Sequence, residues 1–238
     1  MVFKKIALDG SALLRKCFEP MQRETVHLPQ RAFRYGNHAW LIEFASEIDE
    51  ASFLKAEMIR AQLDSAPPPA LRESTFSYTR VLLEFEPGQC PVTSPVFLTI
   101  APAEQTRAIK TIDVCYDGAD LDRVARHCGM SRDEVIRHHS EASYCVHFLG
   151  FAPGFPYLSG LPACLHTPRL ESPRAVIPAG SVAIGAGQTG IYPLPTSGGW
   201  NLIGRTNVTL FDPRAESHAC TYLNAGDMLR FQSVAALT

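Results

Sequence analysis

Residues Cys145–Thr206, CVHFLGFAPGFPYLSGLPACLHTPRLESPRAVIPAGSVAIGAGQTGIYPLPTSGGWNLIGRT, decide how this chain is read. The 56 residues from Gly150 to Arg205 hold ten of the sixteen glycines and eight of the eighteen prolines. Proline fixes φ and glycine admits positive φ, so this mixture builds short strands and tight turns rather than long helices. Phe148, Phe151, Phe155, Tyr157, Tyr192 and Trp200 supply the apolar area that a flexible linker lacks. Glu171 is the one acid of the stretch, against Arg169, Arg174 and Arg205. The segment therefore reads as a folded, loop-rich surface biased toward anions.

Outward from it, the punctuation changes. Ala39–Phe44 alternates, with Trp40, Ile42 and Phe44 on one face, as in a half-buried strand. Asp49–Asp64 carries Leu54, Met58 and Ala61 at i, i+4 and i+7, which predicts an amphipathic helix ended by Pro67-Pro68-Pro69. Arg80–Phe85 and Val96–Ile100 read as further strands, giving a small α+β sandwich. Ala101–Lys110 reads as a linker, and Thr111–Tyr116 opens a second unit. Asp120–Cys128, closed by Gly129, and Ser131–His138 read as two short helices. Ser131-Arg132-Asp133-Glu134 is a capping box that fixes the start of the second. Beyond them, short strands and glycine–proline turns, including Asn224-Ala225-Gly226 before Met228–Phe231, predict a barrel or sandwich. The expected organisation is an extension over 1–30, a small α+β domain over 31–105 and a β-rich domain over 106–238. The fold class is α+β in two domains.

At 238 residues, with 46% hydrophobic and 19% charged residues, the chain can bury a sizeable core. A formal charge of -2 gives no electrostatic case for nucleic acid or an anionic membrane. No apolar run approaches the roughly 18 residues needed to span a bilayer, and the start lacks a signal-peptide core. The seven cysteines are scattered with no Cys-x-x-Cys, the pattern of reduced thiols, so a cytoplasmic location is expected. Cys145-Val146-His147 and Cys164-Leu165-His166 each place two ligand types on one strand face. A zinc site needs four converging ligands, so no metal site is expected in this chain.

Gly185-Ala186-Gly187-Gln188-Thr189-Gly190 matches the G-x-G-x-x-G of dinucleotide sites, but Pro193 and Pro195 leave no room for the helix that motif requires. Ile191 and Tyr192 likewise occupy the Lys and Ser/Thr positions of a phosphate loop. A tight turn between strands is the better reading, with anion binding by its amides left open. Arg169, Arg174 and Arg205 each stand beside a proline or glycine, on turns that suit bidentate carboxylate or phosphate recognition. Structural pairing is the alternative, for which Glu171 is the only nearby acid. His138 and His139 end the capped helix, where the dipole favours a charged imidazole with a raised pKa. His139 reads as a general acid/base or a cap, and His166 as the better pocket histidine of the two strand pairs. Gln188, Thr189 and Tyr192 combine amide, hydroxyl and aromatic groups able to hold a small polar substrate. Trp200 reads more naturally as a core anchor.

LGFAPGFPYLSGL, HTPRLESPR, IPAGSVAIGAGQTGIYP and SGGWNLIGRT, in this order, resemble the allophanate hydrolase subunit 1 family, also described as KipI-like and as the B subunit of bacterial 5-oxoprolinase. The similarity runs from about Arg34 to Phe231. Ser197 and Asn207 stand where the family usually has proline, and His139-Ser140 matches its His-Ser pair. The resemblance implies an N-terminal ferredoxin-like sandwich and a C-terminal cyclophilin-like β-barrel. It implies ATP-dependent opening of 5-oxo-L-proline to L-glutamate, in company with a homologous C subunit and a separate A subunit. ATP and Mg²⁺ would act at the level of that complex, none being held tightly by this chain, which alone would be inactive. Carboxyltransferase chemistry of the urea carboxylase or allophanate type, and inhibition of a histidine kinase, are the alternatives. On the enzyme reading, His139, His166 and Arg205 are the candidate catalytic residues, and Arg169, Arg174, Gln188, Thr189 and Tyr192 the candidate substrate-binding ones.

Overall fold

A computed structural model of the chain describes residues 31–47, 50–93, 109–215 and 220–237. The expected extension over 1–30, the strand over Val96–Ile100 and most of the expected linker lie outside the described residues. Residues 31–93 belong to one compact unit and residues 109–237 to another.

In the first unit, β1 (Arg31–Tyr35) and β2 (Ala39–Glu43) form a hairpin, and α1 (Glu50–Ser65) leads to a second hairpin, β3 (Leu71–Phe76) and β4 (Arg80–Phe85). The sheet order is β1-β2-β4-β3, antiparallel throughout, so β4 is inserted between β2 and β3 in a split β-α-β arrangement. Ile42 and Phe44 are buried on the expected face, with Val81, Leu83 and Phe85 of β4 beside them. On α1 the buried side chains are Ser52, Ala56, Met58, Ile59 and Leu63. Ala61, expected on the core stripe, is only half-buried, because the helix turns its Ser52–Ala56–Ile59–Leu63 row inward. β3 escaped the sequence reading: LRESTF has an exposed, polar side and lies at a sheet edge.

The second unit is a seven-stranded sheet wound into a nearly closed barrel. Its strands are β5 (Ile109–Val114), β6 (Tyr144–Leu149), β7 (Pro156–Ser159), β9 (Ser181–Gly185), β10 (Gln188–Ile191), β12 (Asn201–Arg205) and β13 (Met228–Ser233). Their order is β12-β9-β10-β7-β6-β13-β5, with β5 and β13 parallel. The two ends meet where Cys115 and Arg205 exchange backbone hydrogen bonds of 2.9 Å each way. Gly118 N and Asp120 N extend the seam to the carbonyls of Ile203 and Leu202. A Cβ on Gly118 would stand 2.3 Å from the Ile203 carbonyl carbon, so the seam closes only with glycine there. Strand alternation sends Ile112, Val114, Val146, Leu158, Val182, Ile184, Ile191 and Ile203 inward.

The helices α2 (Leu121–Cys128) and α3 (Arg132–Glu141) cover the barrel with Leu121, Val124, Ala125 and Val135. Gly129 ends α2 in the left-handed conformation, and Ser131 and Glu134 form the expected capping box on α3. A second pair of strands, β8 (Arg174–Ile177) and β11 (Thr196–Gly198), forms its own small sheet. Among the described residues, no helix is long and apolar enough to cross a membrane.

Candidate functional site

The expected site residues separate into the barrel core, an aromatic niche and two surface positions. His139 goes to the core and is fully buried. Its Nδ1 lies 2.7 Å from Tyr116 Oη and its Nε2 2.9 Å from Thr189 Oγ1. Thr189 Oγ1 donates its proton to the Ala183 carbonyl at 3.0 Å, so it accepts from Nε2–H, and Nδ1 accepts from the Tyr116 hydroxyl. The Phe231 ring stacks on the imidazole at 4.6 Å, and Tyr144 Oη donates to the His139 carbonyl. Burial drives the His139 pKa down to about 3. This corrects the expectation of a raised pKa: a helix C-terminus contributes at most about 2 kcal/mol, whereas full burial of an imidazolium shifts a pKa by several units. The same burial pushes the Tyr116 and Tyr144 hydroxyls up. A neutral, fully hydrogen-bonded His139 serves the core rather than reaching solvent.

Thr189 shares that core, since alternation along β10 points Thr189 and Ile191 inward and Gln188 and Tyr192 outward. The loop before it, Ala186-Gly187, is a two-residue hairpin turn between β9 and β10, crossed by Thr167. Gln188 is half-buried at its edge. His166 is exposed with its imidazole against Gly187, where a Cβ would meet Cε1 at 3.1 Å.

The niche lies on the outward side of these strands. Phe155, Tyr192 and Trp200 pack edge-on, with centroids 5.2 Å apart for Phe155–Tyr192 and 5.5 Å for Phe155–Trp200. The indole lies on Gly185, where any Cβ would stand 2.5 Å from Trp200 atoms. Trp200 is thus a core anchor, 5% exposed. Arg169 Cζ stands 5.8 Å above its ring. The Arg169 turn is moored by Leu170 N to the Gly199 carbonyl, and by Asn201 Nδ2 and Arg123 Nη1, which both donate to the Pro168 carbonyl. Arg123 also donates to Asn201 Oδ1. Arg174 Nη2 donates to Asp120 Oδ1 at 2.8 Å, and Asp120 Oδ2 accepts from Leu202 N at 2.7 Å. Burial raises the Tyr192 pKa, while its oxygen accepts a hydrogen bond from the Trp200 backbone.

Arg205 does not join the niche. It is exposed at the far end of β12 and donates from Nε to Asp117 Oδ2 at 2.8 Å. The structure therefore gathers Arg169, Arg174 and Tyr192, and sends His139 and Thr189 elsewhere. The counter-ions of Arg174 and Arg205 are not Glu171 but Asp120 and Asp117, 54 and 88 residues away. The sequence did carry a signal for them: Asp117 and Asp120 bracket the turn at Gly118 in YDGAD. Tyr116, Asn201 and Arg123 had none, since their partners are set by barrel closure.

Beside the niche, Leu149–Gly154 line an open depression of ≈ 330 Å³. Phe151 is 61% exposed there at φ 68°, with its ring edge-on to Phe155 and Tyr192. Mg²⁺ prefers carboxylate oxygens. Asp117 and Asp120 are committed to arginines, and no three His, Cys, Asp or Glu side chains gather among the described residues. Among the described residues, no cluster of such side chains fits an ATP-bound Mg²⁺.

Residues 30–221 match the family described as carboxyltransferase domain, subdomain C and D. The chain is 54% identical over 123 residues to the B subunit of 5-oxoprolinase from Escherichia coli O157:H7, a match covering 50% of this chain and 56% of that protein. The match thus spans little more than half the length of that relative. The chain is 36% identical over 216 residues to the B subunit of 5-oxoprolinase from Bacillus subtilis strain 168, covering 82% of this chain and 89% of that one. Among solved structures, TTHA0988 aligns with a TM-score of 0.72 at 34% identity, over 83% of this chain and 40% of that one.

Proposed function

The chain belongs to the carboxyltransferase-domain family, subdomain C and D, and we propose that it serves as the B subunit of a 5-oxoprolinase. The observation that carries this reading is the near-full-length kinship with the Bacillus subtilis protein of that name. In the reaction so assigned, ATP hydrolysis drives water to open the lactam C–N bond of 5-oxo-L-proline, giving L-glutamate.

The chemistry of this chain supports a role as one part of that machine. Its exposed cationic groups face outward while its nearest carboxylates, Asp117 and Asp120, are already paired. Stabilising phosphoryl charge needs a metal and acids to hold it. In this reading the homologous C subunit and the separate A subunit supply them, and ATP and Mg²⁺ belong to the assembled complex. The finer fold assignment follows the same kinship. The split β2-α1-β3-β4 unit is read as part of a ferredoxin-like domain, and the seven-stranded unit as a cyclophilin-like barrel.

The test is reconstitution. The chain is purified alone and with the homologues of the A and C subunits from its own genome, and ATP-dependent glutamate release from 5-oxo-L-proline is measured. Turnover is expected only with all three proteins present. Turnover by the chain alone would overturn the shared-site reading, and no turnover by the full set would overturn the assignment to 5-oxoprolinase.

A further inference from the structure

The aromatic niche holds more hydrogen-bond donors than acceptors to receive them. Arg174 Nη2 is engaged by Asp120, but its Nη1 is sealed from solvent and has no hydrogen-bond partner among the described residues. Tyr192 Oη accepts from the Trp200 backbone, yet among the described residues nothing accepts its own proton. Tyr192 as a whole is 2% exposed. Arg169 has a face on Trp200 and no carboxylate among the described residues. Buried donors in folded proteins are nearly always satisfied, and one left alone is costly.

The three donors share one place. Gly198 pairs with Arg174 across β8 and β11, and a Cβ on Gly198 would stand 2.4 Å from Tyr192 Oη. Both arginines act electrostatically on the Tyr192 hydroxyl. Asp120 is the acid closest to hand, and both its oxygens are occupied, one by Arg174 and one by Leu202 N. Among the described residues, a guanidinium with one unpaired Nη1, a second with no carboxylate and a hydroxyl with no acceptor call for a ligand that is all acceptor and anionic. A carboxylate fits the planar fork of arginine in a way that a neutral amide does not.

We propose that Arg169, Arg174 and Tyr192 form a carboxylate-binding niche that holds the carboxylate of a small cyclic amide. The naming of a cyclic amide rests on the 5-oxoprolinase reading; the carboxylate rests on the donors. Arg169, the exposed member, meets the ligand first.

Trp200 is the reporter for the experiment. The chain has two tryptophans, so Trp40→Phe in the full-length protein leaves Trp200 as the sole indole. Its fluorescence is titrated with 5-oxo-L-proline, with 2-pyrrolidinone (the same ring without the carboxylate), with inorganic phosphate and with ATP. A saturable change with 5-oxo-L-proline is expected, and binding of 2-pyrrolidinone at least about tenfold weaker. Tyr192→Phe and Arg174→Gln are each expected to weaken 5-oxo-L-proline binding about tenfold or more, the usual loss for a hydrogen bond to a charged group. Tyr192→Phe removes one oxygen and keeps the packed ring, so it carries the test if Arg174→Gln unfolds the chain. No saturable response, or equal responses to the two lactams, overturns the proposal. Phosphate or ATP binding with 5-oxo-L-proline silent overturns the carboxylate and makes the niche a phosphate site. The two readings fail separately. Normal turnover by a complex carrying Tyr192→Phe and Arg174→Gln sinks the niche alone. Arg174-dependent carboxylate binding without turnover by the full complex sinks the 5-oxoprolinase reading alone.

Discussion

His139 carries a consequence that can be measured without any substrate. Its folded pKa is depressed to about 3, below the ordinary value near 6.5 of the unfolded chain. Above pH 6.5 both states are neutral at this residue and its contribution to stability is fully present. As pH falls from about 6.5 toward 3, the unfolded chain takes up a proton that the folded core refuses. Stability then drops by about 1.4 kcal/mol per pH unit, or roughly 2 kcal/mol between pH 6.5 and 5. Urea midpoints at pH 7 and pH 5 should show this fall in the native chain, and a smaller fall in His139→Gln; equal slopes would place the titration elsewhere. Tyr116→Phe strips the donor from Nδ1 and is expected to cost about 1–3 kcal/mol at pH 7, read from the same unfolding curves. Trp200 is the matching case in the niche. Gly185→Ala drives a methyl into the indole, with contacts at 2.5 Å that only displacement of the ring relieves. A loss of about 1–3 kcal/mol, with a shifted Trp200 emission, is expected.

At the scale of elements, local rules were legible wherever the signal is carried by neighbours in sequence. The capping box of α3 is such a case: Ser131 Oγ accepts from Glu134 N, and the Glu134 carboxylate accepts from Ser131 N at 2.8 Å. These contacts hold the Glu134 carboxyl below its ordinary pKa. Ser131→Ala is expected to cost about 1 kcal/mol of stability in thermal unfolding. The β9–β10 hairpin is another. The prolines after Gly190 exclude the helix of a nucleotide fingerprint, and the structure makes the motif a tight turn. Its first loop residue is Ala186 at φ 56°, a position that in a type II′ turn favours glycine. Ala186→Gly is therefore expected to be neutral or stabilising by up to about 1 kcal/mol, against the usual sign of Ala-to-Gly changes. β3 was not legible for the opposite reason: an edge strand with half its residues in water shows little periodicity.

The barrel itself is a property of the whole molecule. It depends on one seam, where β5 runs on through Cys115 to Gly118 alongside β12. Gly118→Ala sets a methyl against the backbone of Ile203, which cannot swing aside as a side chain does. Rapid amide exchange at Cys115 and Arg205, together with a lowered unfolding midpoint, is expected in that variant; protection equal to the native chain would show that the seam does not hold the barrel. What the sequence by itself determined was the character of each segment: turns and short strands over Gly150–Arg205, the capped helix at Ser131, and an arginine-rich, acid-poor surface. Those readings rest on φ preferences and local hydrogen bonds, which act within a few residues. Which groups meet was decided only by tertiary structure. Asp120 reaches Arg174 and Thr189 reaches His139 because barrel closure and strand alternation bring them together across 54 and 50 residues. The same closure buried His139 and reversed the sign of its expected pKa shift, since desolvation depends on what surrounds a residue in space and not on its place in the chain.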